Sequence, residues 1–342
     1  MLRGNRWIWA LAVVGLILGL TAAPDRAAAG TLDEIKARGV VRCGVNEYGP
    51  ALTAMNENGQ WAGFYTDFCR AFAAATLGNA RAVDFISVSS VDRFDALRQK
   101  AVDLLSEAST WTLERDLGGL AFPATVLMDG QGFLVQRNSG IGGLDQLKGR
   151  RVCVVNHATS VGGLKRVDKA RNLGLKIQEY SSIQGSFAAF FDRQCEAVST
   201  DGIILASLRQ QLAPNPAEYV FLPERVTREP LSPVVLKDDR QWEDVVRWTV
   251  LATIAAEELG ITSVNVRGHL NSSDPEVRRL LGLEGDTGAR LGLEKDWAVR
   301  VIEQVGNYGE IYARNLTKVL GIERGQNALS GNGGVLWSPP FR

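Results

Sequence analysis

Histidine and cysteine are scarce in this chain of 342 residues, at two and four copies. The histidines, His157 and His269, lie far apart, and no C-x-x-C pair occurs, so a zinc site is poorly supplied with ligands. Excess charge of either sign is also missing. A formal net charge of +0 implies no general attraction to nucleic acid or anionic lipid. There is no G-x-S-x-G elbow to present a nucleophilic serine. Beyond the first thirty residues, no apolar run is long enough to span a bilayer.

Those first residues, "MLRGNRWIWALAVVGLILGLTAAPDRAAAG", are of another kind. Arg3 and Arg6 precede an apolar run from Trp7 to about Ala23, and Ala27-Ala28-Ala29 supplies small residues for cleavage. This reads as a secretory signal peptide over residues 1–29. Its removal takes away three arginines and one aspartate, which leaves the mature chain weakly acidic. Export to an oxidising compartment suits an even number of cysteines. Spacing suggests Cys43 with Cys69 and Cys153 with Cys195, one bridge in each half, although three pairings are formally open.

The chain of 342 residues, 45% of them apolar, has room for two domains. "TLDEIKARG" predicts a short helix capped at Thr31 and stopped by Gly39. Strand, helix, strand, helix and strand follow: "VVRCGV", a helix from about Thr66, "RAVDFISVS", "VDRFDALRQK" and "VDLLSEA". The order restarts with "GQGFLVQRN", "GLDQLKG", "RVCVVN", a helix after "NHATS", "KIQEYSS", "QGSFAAFFDRQ" and "CEAVSTD". Alternation of this kind predicts two α/β units, each a mostly parallel sheet flanked by helices. From "WEDVVRWTVLATIAAEELG" onward the chain is mainly helical.

Open α/β sheets bind ligands beyond the carboxyl ends of their strands. Those ends carry Tyr48, Ser90, the hydroxyl-rich "SEASTWTLERD", "NHATS" and Asp201. Arg115 follows Ser109, Thr110 and Thr112 at the start of a predicted helix, where a cation is a mild misfit with the helix dipole. An anion between the guanidinium and the hydroxyls would make it welcome, and the guanidinium fork suits a carboxylate. Taken singly, Arg115 reads as a surface arginine, Thr112 as an N-cap, Asp201 as a cap and Tyr48 as a turn residue. Placed in opposite halves, Arg115 and Asp201 make a cation and an anion facing across a cleft, and a zwitterion fits between them. The amides of Thr159 and Ser160, at a helix start, suit an anion as well.

The segments "TLDEIKARGVVRCGV", "DRFDAL", "STWTLERD", "DGQGFLV" and "LEKDWAVRVIEQVGNYGEIYARN" resemble the general L-amino-acid-binding proteins of ABC transporters. The likeness runs from Thr31 to Arg342. It implies a two-lobed periplasmic-binding-protein fold: lobe 1 over 30–132, lobe 2 over 133–233, and a return to lobe 1 over 234–342. Hinge strands are expected near Gly132–Val135 and Ser232–Leu236. It also implies that Arg115 takes the ligand's α-carboxylate with help from Thr110 and Thr112. The Ala108 carbonyl and Asp201 take the α-ammonium, Thr159 and Ser160 supply helix-start contacts, and Tyr48 packs on the ligand. Ser90 stands where narrower relatives have an aromatic wall, and His157 replaces a usual glycine; both are candidate contacts to the ligand side chain. The implied partners are an L-amino acid and the permease subunits of an ABC transporter, with no cofactor, metal or nucleic acid, and a monomer in the periplasm. A hydro-lyase using His157 and a ligand-sensing module are the rival readings.

Overall fold

A computed structural model describes residues 29–342. All but the last residue of the expected signal peptide lies outside them. Among the described residues, no helix is long and apolar enough to cross a membrane.

The first lobe is built on a parallel sheet in which Val41–Val45 lies between Val83–Ser87 and Leu104–Leu105. Helix Phe64–Leu77 has an apolar sequence on nearly every face, and from Phe64 to Thr76 only Arg70 is not buried. A helix of that composition must be covered on all sides. It packs against Val41–Val45 and beneath helices Arg240–Glu258 and Trp297–Val305, which return from the far end of the chain. Phe64 and Phe68 meet Tyr308 and Tyr312 in a largely edge-on aromatic cluster, a favoured ring geometry. The Cys43–Cys69 disulfide ties the sheet to this helix.

The second lobe holds a five-stranded sheet in the order Lys176–Tyr180, Arg151–Val155, Ala197–Asp201, Gln131–Gln136, Tyr219–Phe221. The first three strands are parallel; Gln131–Gln136 runs antiparallel to both its neighbours. Cys153–Cys195 closes the second bridge, so both pairings suggested by spacing are formed. With the cysteines 26 and 42 residues apart, a chain-entropy treatment gives about 3–4 kcal/mol of stabilisation for each.

Three local expectations shift. Helix Thr31–Arg38 has Gly30 at its N-cap, and the Thr31 amide donates to Asp239 Oδ2 at 2.7 Å, so the cap comes from a distant carboxylate. The second helix begins at Phe64, two residues earlier than expected, because Gly63 at φ 127° allows the chain to turn there. The strands that cross between the lobes are Leu127–Asp129 and Glu229–Leu231, paired antiparallel. Gly132–Val135 is instead inside the five-stranded sheet, and Val235–Leu236 pairs with Leu120–Ala121 on the first-lobe side. Register decides this: Asp129 and Glu229 are direct partners, about a hundred residues apart in sequence.

Candidate ligand-binding site

The two lobes meet in front of this ladder and touch at several points. Gln184 donates to the Glu47 carbonyl at 2.8 Å, and the hydroxyls of Thr110 and Thr159 lie 3.5 Å apart. A Cβ on Gly49, whose φ is 95°, would fall 2.5 Å from Ser207 Oγ, so this contact requires glycine. Between the lobes lies a cavity lined by Tyr48, Ser90, Ala108, Thr110, Arg115, Thr159, Ser160 and Asp201. Only about 20 Å³ is left open, roughly the room of one water molecule. The lobes are closed.

Strand ends and helix starts deliver these groups. Arg115 lies in the short helix Leu113–Leu117, where a macrodipole hardly develops. Its Nη1 donates to the Thr110 carbonyl at 2.8 Å and its guanidinium rests over the Phe94 ring, 5.1 Å from the centroid. Among the described residues no carboxylate comes within salt-bridge distance of Arg115. Burial and the neighbouring Arg93 cation lower its pKa to about 10. Arg93, which sequence reasoning did not single out, shares the Phe94 ring at 4.6 Å and also lines the cavity. A buried and a half-buried guanidinium on one aromatic ring make this wall attractive to an anion.

The same wall contains its own counter-charge. Glu107 is fully buried and accepts hydrogen bonds from Tyr48 Oη at 2.9 Å and from Ser109 Oγ. Arg93 Nε stands 3.4 Å from Glu107 Oε1 without hydrogen-bond alignment, while its Nη1 donates to the Ser90 carbonyl at 2.8 Å. Burial, with the Glu107 charge, pushes the Tyr48 phenol well above its usual range, so it stays a donor.

The opposite wall is short of partners. Asp201 ends strand Ala197–Asp201 and occupies the N-cap of helix Gly202–Leu212, yet its side chain caps nothing. Asp129, from the crossing ladder, takes that role by accepting from the Ile203 amide at 2.8 Å. Burial raises the Asp201 pKa well above the carboxylate range, and the charges of Asp129 and Glu229 add to it. Helix Thr159–Arg171 likewise starts without a side-chain cap, and Ser160 Oγ is buried with no partner. The helix approaches Gln131 so closely that a Cβ on Gly163 would lie 1.9 Å from Gln131 Oε1. Gln131 in turn holds the Ser160 carbonyl and Ser199 Oγ, both at 2.9 Å.

Two expected contacts lie elsewhere. Thr112 does not line the cavity; its Oγ1 accepts from the Arg115 amide at 3.3 Å and caps the short helix. His157 is exposed and outside the cavity. Its φ of 56° explains why glycine suits that position: the residue turns the chain from strand into helix. Besides Arg93, the cavity includes Ile183 and Ile204, and Glu229 stands behind it, accepting from Thr159 Oγ1 at 3.2 Å.

The chain is 40% identical over 328 residues to the general L-amino acid-binding periplasmic protein AapJ of Rhizobium johnstonii, covering 94% of this chain and 96% of that one. It is 39% identical over 348 residues to the glutamate/glutamine/aspartate/asparagine-binding protein BztA of Rhodobacter capsulatus, covering both in full. Among solved structures, an ABC transporter periplasmic binding protein from Brucella ovis with glutathione bound superposes with a TM-score of 0.89. It shares 39% identity, over 92% of this chain and all of that one. Residues 41–317 match one family model, and the chain belongs to the bacterial extracellular solute-binding proteins, family 3.

Proposed function

We propose that this protein captures L-amino acids in the periplasm, with broad specificity, and delivers them as a monomer to the permease of an ABC transporter. The observation that carries this reading is the facing pair of unmatched charges. Among the described residues, Arg115 on one lobe has no carboxylate within salt-bridge distance, and the Asp201 carboxylate on the other accepts no hydrogen bond. An α-amino acid supplies the carboxylate to the first and the ammonium to the second. Thr110, the Ala108 carbonyl and the Thr159–Ser160 helix start complete the two ends.

Closure then follows from linkage, because a ligand favours the state in which it makes more contacts. Only closed lobes bring Arg115 and Asp201 to the same molecule. The antiparallel ladder of Leu127–Asp129 with Glu229–Leu231 supports a hinge at these strands, with lobe boundaries slightly before the expected ones. A bound amino acid takes the place of the direct Thr110–Thr159 contact and holds the lobes a little farther apart. At the side-chain end, Ser90 is small and the Arg93–Glu107 pair is polar and buried. This favours polar, acidic or amide side chains over large apolar ones. BztA carries a name of that kind, and AapJ is named for L-amino acids in general. The γ-glutamyl end of glutathione is itself a free α-amino acid head, so the tripeptide belongs in the ligand panel. A hydro-lyase reading rested on His157, which lies outside the cavity.

Calorimetric titration of the twenty amino acids and glutathione into the mature protein tests the proposal. Several polar amino acids should bind, and Arg115→Ala should remove that binding. Undiminished affinity in the variant would overturn the assignment.

A further inference from the structure

The crossing ladder has a second cavity behind it, of about 330 Å³, far larger than the closed cleft. One helix separates the two. Gly202–Leu212 turns Ile204 toward the cleft and Ser207 toward Gly49 of the first lobe, while Ile203, Ala206 and Gln210 face the rear. The floor is the hinge strand at Met128 and Asp129. The far wall is the segment from Tyr312 to Asn327, and Asn327 anchors it by bonding both the amide and the carbonyl of Met128, at 2.6 and 3.0 Å.

The charged lining of the rear cavity is two arginines and two acids, Asp129 and Glu323, and among the described residues neither acid forms a salt bridge with either arginine. Arg209 and Arg225 both line it, and neither has a carboxylate within salt-bridge distance among the described residues. Arg209 lies over the Phe221 ring at 4.5 Å with its Nε buried and unpartnered. Arg225 lies flat against two glycines: a Cβ on Gly132 or Gly202 would come 2.9 or 3.1 Å from its guanidinium nitrogens. The nearby Asp129 carboxylate is already committed, its oxygens accepting from the amides of Gly130 and Ile203, each at 2.8 Å. Between the cations and the far wall the surface is apolar, with Phe221, Leu320 and Ile322.

We propose that the rear cavity is a second ligand site, for a small carboxylate with an aliphatic chain, and that its occupation favours closed lobes. Arg209 and Arg225 hold the carboxylate, and the chain lies along the apolar wall. The coupling follows from rotation about one axis. Opening the front swings helix Gly202–Leu212 toward the Val319–Glu323 wall, so a guest there opposes opening. Because the front and rear sites share that helix, coupling must be reciprocal: amino acid and carboxylate each raise the other's affinity.

Octanoate is the probe, titrated into the mature full-length protein by calorimetry. Saturable 1:1 binding is expected, weakened about tenfold or more in Arg209→Met and in Arg225→Met. Val319→Trp, at a position 41% exposed on the rim, narrows the cavity without touching either arginine and should weaken binding too. Octanol and inorganic phosphate, lacking charge and chain respectively, should each bind more weakly. Arg115→Ala should leave octanoate binding intact, which separates this site from the amino-acid site. Saturating octanoate should raise amino-acid affinity severalfold in the unaltered protein. Absence of saturable octanoate binding, indifference to all three variants, or equal binding of octanol would overturn the proposal.

Discussion

The two walls of the cleft are built on opposite plans. On the first lobe, Tyr48 and Ser109 already donate to Glu107 with Arg93 beside it, and Arg115 is steadied by the Thr110 carbonyl and the Phe94 ring. On the second lobe, among the described residues, the Asp201 carboxylate has no donor, Ser160 Oγ has no acceptor or donor, and helix Thr159–Arg171 has no side-chain cap. A buried polar group left unpaired costs about 1–3 kcal/mol. The contrast suggests an order of events. The preorganised wall receives the ligand at little ordering cost, and the unsatisfied wall gains most when it closes over the ligand.

Removing the cation of the first wall should have the largest effect. Arg115→Ala is expected to lower amino-acid affinity by about 2–5 kcal/mol, the usual cost of stripping one partner from a buried charged pair. Calorimetry checks it, and a loss below tenfold would mean that Arg93 is the main anion site.

On the other wall, Asp201→Asn should cost about 1.5–3 kcal/mol, since a charged hydrogen bond becomes a neutral one. It carries a pH signature. The Asp201 pKa is raised in the ligand-free fold by burial and by the neighbouring acids, which shifts it toward its protonated form. The stability it contributes is present at low pH and lost as pH rises through the raised folded value. An ammonium ligand reverses that preference, so binding releases a proton and affinity rises with pH across the same range. Titrations in buffers of different ionisation enthalpy should detect this proton in the unaltered protein and lose it in Asp201→Asn. Equal proton release in both would move the effect to Asp129.

Ser160→Ala should be gentler, about 1 kcal/mol in affinity. With no partner to lose, the ligand-free protein should be no less stable in thermal unfolding. A fall in melting temperature with affinity unchanged would make Ser160 structural. Smallest is His157→Gly, which relieves a left-handed φ and should stabilise by about 0.5 kcal/mol after glycine's entropy cost. Amino-acid affinity should not change; a loss would bring His157 back to the ligand.

Much of this was legible in the sequence, for local reasons. Alternating strand and helix patterns gave the element order, and chain ends of strands named most of the cavity. Both disulfides followed from having one cysteine pair in each half. Long-range register was not legible. Nothing local says that Asp129 opposes Glu229, that Asp129 caps the helix Asp201 begins, or that Asp239 caps the first helix. Arg93 was hidden because "VDRFDAL" reads as an ordinary surface helix, and only the fold turns its guanidinium inward. Thr112 shows the converse, a hydroxyl in a suggestive motif that serves only its own helix.

The claim that one molecule bridges Arg115 and Asp201 is tested most directly by dividing that molecule. A tight-binding amino acid should be titrated beside its deaminated acid and its decarboxylated amine. The account predicts that each half-molecule binds at least about a hundredfold more weakly than the zwitterion, with the acid sensitive only to Arg115→Ala and the amine only to Asp201→Asn. Either half binding as tightly as the whole would contradict it.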